Sequence, residues 1–390
     1  MTERTVLVLL FIILFIGVAD NQLISPLLPM ISASIQTSAA RLGRIVTAYA
    51  LAAAVASLII GYLSDIKGRV IFLRLAAFIF AIVSIITALA PGYNTLLLSR
   101  TMTGMAAGAF STCAISFAGD YFPYEKRGLA MGIISTSYFA AVTIGVVAGT
   151  QLAGSYGWRA VYYGLALLGL IAFALVMRYL PEQQIKGSKS VGVFASYLSF
   201  FNRRSTCAGI IVSFLFSGGL VGFITYLGDW LSRTFQIKTQ TIGIVFLIGG
   251  LATFVAAPVA GKLSDRVSKK SVIIIGNIIL AAGFAVVPYL NWPGALLAGF
   301  SLVSAAAAFR QGPLQALTTE LIGASERGAY IAVRNTASQL GIASFVLVSG
   351  LCYEAYGYAA VALAMAAVTL LATVFVLIIK EPDESNSPTA

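Results

Sequence analysis

The sequence predicts an all-helical membrane protein of twelve spans, built as two parallel six-helix repeats. Three observations lead there. Of 390 residues, 59% are hydrophobic and only 10% charged, where a soluble domain carries about 25% charged residues; a soluble fold would leave too much apolar surface exposed. Apolar stretches near the ~20 residues that cross a bilayer recur about twelve times. The third observation is an echo. "GYLSDIKGRV", from Gly61, returns as "GKLSDRVSKK", from Gly261, and "GDYFPYEKRG", ending at Gly128, returns as "TELIGASERG", ending at Gly328. Two strings in register at one separation mark a duplicated unit.

The first stretch, 4–31, carries Asp20 in its interior, is too long for a secretory leader and lacks a small-residue cleavage site before a soluble domain, so it reads as the first span. Stretches at 43–64, 70–91, 94–118, 127–152 and 158–180 complete one set of six. A second set follows at 207–232, 239–262, 271–290, 294–319, 328–352 and 357–379. Between them, 181–206 with "FASYLSFFNRR" reads as an interfacial connector, and the polar tail 381–390 is expected to be disordered. The domain plan is therefore 1–180, 181–206, 207–380 and 381–390.

The net charge of +11 is not gathered into a nucleic-acid-binding patch or tail but spread over short connections. With both termini cytoplasmic, most Lys and Arg fall on the inner side, and only Arg41, Arg44, Arg159, Arg233 and Lys238 on the outer; Arg100 and Arg310 lie within spans. Basic residues favour the cytoplasmic side, which sets that orientation. Parallel repeats place a binding site between the halves near the bilayer midplane, opened to one face at a time by rocking. Cys113, Cys207 and Cys352 lie in or beside spans with no metal-ligand spacing and read as small packing residues.

These motifs resemble the major facilitator superfamily, and within it the bacterial drug:proton antiporter branch. "GYLSDIKGR" (Gly61–Arg69) is similar to that family's loop signature, "RTMTGMAAG" (Arg100–Gly108) to its fourth-span motif, "DNQLISPLLP" (Asp20–Pro29) to its first-span motif, and the "GW" at Gly157 and Trp158 is typical of it. The antiporter motif of the fifth span departs from the family pattern. Its proline is Val146 and its last glycine Thr150, although Gly145 and Gly149 keep a spacing that permits close helix contact, as do Gly104 and Gly108 on the fourth span. The resemblance implies a multi-pass, monomeric protein of the bacterial inner membrane, not an enzyme, with no cofactor and no metal, whose partners are lipid, protons and a small amphipathic solute that it exports.

A cytoplasmic gate is expected from the repeated loops: Gly61, Asp65, Gly68 and Arg69 in the first, Asp265 in its copy, and Asp120, Arg127, Glu320 and Arg327 in the other pair. Gly68 is free to take a left-handed turn. A carboxylate at Asp65 is favoured near the start of another helix, and the resemblance implies a helix of the other half, the eleventh span near Arg327. A plain positive-inside turn explains the basic residues without the acids.

Charges at membrane depth are the functional candidates, because each costs about 2.5–3.5 kcal/mol at a helix centre on insertion scales unless a partner or cavity receives it. Asp20 lies about 24 Å from the cytoplasmic edge and Arg100 about 9 Å from the outer one, depths that agree to roughly 3 Å in a core about 30 Å thick. The two can pair, either as a structural lock or as a couple that protonation of Asp20 releases. With no histidine in the chain, proton coupling falls to buried carboxylates: Asp20 first, Asp229 second. Arg310, in "AAAAFRQGPLQ", suits a carboxylate or phosphate if unpaired; Asn21, Gln22, Tyr226 and Gln311 can add hydrogen bonds to a substrate cavity with Asp20, Arg100 and Arg310. The alternatives are a carrier specific for an organic anion through Arg100 and Arg310, and a non-transporting sensor or receptor on the same scaffold. A membrane enzyme or ATP-driven pump is disfavoured by the lack of a catalytic set or phosphate-binding glycine loop.

Overall fold

The computed structural model describes residues 3–181, 199–322 and 326–380. The connector from 182 to 198 and the tail from 381 lie outside the described residues, as do the side chains of Asp65, Arg127, Glu320 and Arg327. Every regular element among the described residues is helical.

Among the described residues, eleven helices are long and apolar enough to cross a membrane. The first stretch is one such helix, α1 (Glu3–Gln22), followed after Leu23 by α2 (Ile24–Ile35). The break has a local cause. Pro26 has no N–H to return to the Gln22 carbonyl, and its ring crowds that carbonyl. Then come α3 (Ala39–Lys67), α4 (Arg69–Ala88) and α5 (Tyr93–Tyr121). Next come α6 (Tyr124–Ala140), a π-helical turn (Ala141–Gly145), α7 (Val146–Tyr156) and α8 (Trp158–Tyr179). The second set opens with α9 (Arg204–Thr225) and α10 (Leu227–Phe235), broken at Tyr226. It continues with α11 (Thr239–Arg266), α12 (Lys269–Val286), α13 (Gly294–Glu320), α14 (Arg327–Tyr356) and α15 (Tyr358–Ile378).

Helix α5 is the long helix that does not qualify as a span by hydropathy. It forms nonetheless, 29 residues long, and buries Ser99, Arg100, Thr103, Gly104 and Gly108 among its apolar side chains. Its neighbours are α3 and α4, so much of its surface meets protein rather than lipid and need not be hydrocarbon. Ser99 accepts a hydrogen bond from Thr87 of α4 at 3.0 Å and returns its own to the Leu96 carbonyl. Elsewhere the outward faces are apolar: Leu98 is 63% exposed, Ile144 67% and Val255 67%. Water does not tolerate a surface of that kind, and lipid does.

The duplication reaches the backbone. Gln36 and Gln236, two hundred residues apart, both take a left-handed conformation (φ 51° and 53°), and so do Gly157 and Gly357 (φ 84° and 78°). The contacts repeat as well. Arg100 of α5 stacks over Tyr49 of α3, and Phe300 of α13 packs where a Cβ on Gly249 of α11 would stand. The first loop and its copy differ as their residues require: Gly68 turns at φ 91°, whereas Ser268 stays extended and caps α12 through its hydroxyl, which accepts from the Ser271 N–H.

The chain divides into two compact units. One comprises Met1–Lys189 with Ile224–Leu247 and Val346–Ala355; the other comprises Ser190–Phe223, Ile248–Phe345 and Tyr356–Ala390. In the second unit Val212, Phe216, Ile273, Leu314, Leu317, Ala372 and Val376 form a buried apolar core.

Candidate functional site

Within the first unit, α1 and α5 carry the acid and base at membrane depth. Arg100 Nη1 donates to Asp20 Oδ1 at 2.6 Å, and each side chain is at most 2% exposed. The guanidinium lies 4.9 Å from the centre of the Tyr49 ring and 5.9 Å from that of Tyr162, both electron-rich faces that favour a cation. The pair is incomplete in hydrogen bonds: Asp20 Oδ2 and Arg100 Nε have no partner among the described residues. A carboxylate with one oxygen held and one bare can accept a proton on the bare oxygen without displacing the arginine first. Beside it, Asn21 and Gln22 are half-buried, and Gln22 donates to the Tyr138 hydroxyl at 3.1 Å.

The glycines of α5 and the fifth span lie at helix contacts. A Cβ on Gly104 would overlap the Tyr49 carbonyl of α3, and one on Gly108 would stand 2.5 Å from the Ala53 carbonyl oxygen. Gly145 faces Ala19 and Phe15 of α1, and Gly149 faces Leu23. Small residues there let the backbones approach closely enough to hold Asp20 and Arg100 in register.

A second cluster of the same unit surrounds the break before α10. Asp229 is 1% exposed; its Oδ2 accepts from the Tyr353 hydroxyl at 2.7 Å and forms an ion pair, at 2.8 Å, with Nε of Arg233, one turn further along α10. Tyr226 is fully buried and donates to the Val346 carbonyl at 3.3 Å, its hydroxyl occupying the space that side chains at Gly43 and Gly350 would fill. Gly228 lies directly on the Ser25 carbonyl, and Ser25 Oγ donates to the Ile224 carbonyl at 2.6 Å.

Of the residues expected at a cytoplasmic gate, Arg69 and Asp120 meet: Arg69 Nη1 is 2.6 Å from Asp120 Oδ2 at the ends of α4 and α5. A Cβ on Gly61 would touch Thr112, and Asp265 is exposed. Asp65, Arg127, Glu320 and Arg327 are the gate residues whose side chains lie outside the described residues.

The second unit holds two buried arginines. Arg310 of α13, 1% exposed, donates from Nη2 to the Phe216 carbonyl of α9 at 2.9 Å, with its guanidinium 4.3 Å from the centre of the Phe216 ring. Gln311, next to it, is exposed. Sequence reasoning placed Arg334 with the inner-side basic residues. The structure buries it to 9% exposure on α14, with Nε donating to Ser213 Oγ at 2.9 Å and Nη1 to Thr318 Oγ1. The signal was in the spacing: Arg334 stands seven residues, about two turns, beyond Arg327.

The Major Facilitator Superfamily profile matches residues 10–232 and again 209–390. The chain belongs to that superfamily of membrane transporters. Among relatives, it is 29% identical over 371 residues to the uncharacterized MFS-type transporter YwfA of Bacillus subtilis (strain 168), covering 92% of this chain and 87% of that protein. It is also 29% identical over 234 residues to the multidrug resistance protein MdtG of Salmonella paratyphi C (strain RKS4594), covering 59% of this chain and 58% of the other. Among solved structures, that of a D-xylose-proton symporter superposes with a TM-score of 0.83 over 100% of both chains at 17% identity, a likeness of fold.

Proposed function

We propose that this transporter is a twelve-span secondary exporter of amphipathic organic molecules, driven by protons moving the other way through alternating access. Asp20 is the proton-carrying residue, and the observation that carries the reading is its buried, half-satisfied pair with Arg100. With the pair intact, both charges are neutralised in a medium that penalises them. A proton on Asp20 removes the charge–charge attraction and frees Arg100 to move, so protonation has a differential effect on two conformations and can shift their populations. Asp229, tied to Tyr353 and Arg233, is the second titrating position. The six-span halves, 1–180 and 207–380, are the moving bodies; α5 is the fourth span, both termini face the cytoplasm, and the Arg69–Asp120 pair belongs to the cytoplasmic latch. The relative named as a multidrug resistance protein supports an amphipathic solute.

The test is flux in proteoliposomes under an imposed pH gradient, native chain against Asp20→Asn, with a cationic dye and a small organic acid offered in parallel. The expected outcome is uphill movement of solute driven by the gradient and its loss in the variant. Flux that ignores the gradient, unchanged by Asp20→Asn, would make the pair a structural lock and sink the proposal.

A further inference from the structure

We infer that Arg310 and Arg334 form an anion subsite that takes the carboxylate or phosphonate end of the exported molecule. The inference rests on the exporter reading and names part of what is exported. Both guanidiniums are buried, yet their hydrogen-bond partners are neutral: the Phe216 carbonyl for one, the Ser213 and Thr318 hydroxyls for the other. Among the described residues no carboxylate pairs with either, and Arg310 Nε and Nη1 have no hydrogen-bond partner there. A buried cation with unfilled donors is a costly arrangement to keep without a use. In the N-terminal repeat the buried guanidinium of Arg100 has a carboxylate partner, Asp20.

The two arginines reach one face of one helix. Ser213 and Phe216 are three residues apart on α9, so their anchors stand about 4.5 Å apart along its axis. Each guanidinium fork suits the oxygens of a carboxylate or phosphonate, and the two are anchored on neighbouring turns of α9. Phe214, Phe345 and Leu314 pack in the same region, an apolar setting for the body of an amphipathic molecule. Arg334 is the less deeply buried of the two.

The repeat supplies a control for the bland explanation that these groups merely hold the helices together. Two hundred residues earlier, the positions of Ser213, Arg310, Thr318 and Arg334 are held by Ile13, Phe110, Ala118 and Ile134. All four are buried apolar residues, none more than 3% exposed. The same helix packing is therefore achieved without charge in one half. The polar set of the other half is an addition to the fold, not a requirement of it.

The experiment uses the full chain in phosphatidylcholine nanodiscs and measures binding of 2-naphthoate, 2-naphthylphosphonate and the neutral 2-naphthamide by calorimetry. Arg310→Phe and Arg334→Ile install the residues of the other repeat, and Arg310→Lys keeps the charge. The expected result is at least tenfold tighter binding of an acid than of the amide. Either neutral variant abolishes that preference, the amide binds as before, and Arg310→Lys retains part of it. Equal binding of acids and amide to the native chain overturns the subsite, as does a preference that survives both neutral variants. Loss of acid binding in phosphatidylglycerol nanodiscs assigns the site to a lipid headgroup and overturns the substrate assignment. Since no proton gradient is involved, acid preference without gradient-driven flux sinks the exporter reading alone. Gradient-driven flux without acid preference sinks the subsite alone.

Discussion

Asp20 and Arg100 show what a buried pair asks of its neighbours. Taking each ion out of water costs several kcal/mol, and only close geometry with further hydrogen bonds offsets it. Here the geometry is close, at 2.6 Å, but one carboxylate oxygen and the arginine Nε are left bare. Asp20→Asn leaves Arg100 charged and unopposed, and breaking such a pair from one side destabilises by about 3–5 kcal/mol. Asp20→Asn with Arg100→Gln removes both charges and should recover most of that loss in thermal unfolding in nanodiscs, while gradient-driven flux stays absent. Recovery of flux together with stability would mean that the pair only holds the fold. This pair was legible in the sequence, because depth along two helices can be counted from residue numbers. The company of Arg310 was not. Its depth was plain, but a carbonyl at Phe216 is a backbone partner, and no residue type announces one.

Helices were easier to read than their interruptions. Hydropathy gave the spans within a few residues, yet α1–α2 breaks at Leu23 and α9–α10 at Tyr226 inside stretches that look continuous. Pro26 and Pro29 mark the first break; Tyr226 has no such neighbour, and its place is set by contacts with Gly43 and Gly350. The π-helical turn at 141–145 likewise ends just before Val146, where the family's antiporter motif departs, a local geometry that residue types do not specify. Helix α5 shows the opposite case, since its polar residues lower its hydropathy because α3 and α4 cover it. Its glycines should then be indispensable at the contact. Gly108→Leu would press against the Ala53 carbonyl, and overpacking of this sort costs about 1–3 kcal/mol, with Arg100 shifted off Asp20. Gly132 of α6 has open space around it, so Gly132→Ala should instead raise stability by about 0.4–1 kcal/mol. Thermal melts of the two variants that came out alike would contradict the close α3–α5 approach.

Across the whole molecule the duplication was visible as two echoed strings, and the backbone carries it further, to Gln36 with Gln236 and Gly157 with Gly357. What the repeat does not copy is charge. Among the described residues, one half buries Asp20 with Arg100; the other buries Asp229, held by Tyr353 and Arg233, and apart from it Arg310 and Arg334, which have no acid. An even number of spans per repeat requires that both halves share an orientation, and this makes α5 decisive, because a repeat of five crossings would invert the second half. A topology experiment settles it. Cys113→Ala, Cys207→Ser and Cys352→Ser remove the native thiols, none of them in a disulfide, and single cysteines then replace exposed residues at successive turns. Lys67, Lys126 and Arg266 should label with a membrane-impermeant maleimide only from the cytoplasmic side, and Asn94, Tyr156 and Tyr356 only from the outside. Asn94 and Lys126 flank α5, so labelling of both from one face would remove it from the spans. The Asp20–Arg100 pair would then have to be built on a helix that does not cross the bilayer. Opposite faces for those two, with Lys67 and Arg266 on the same face, would put every element of the twelve-span reading in its place.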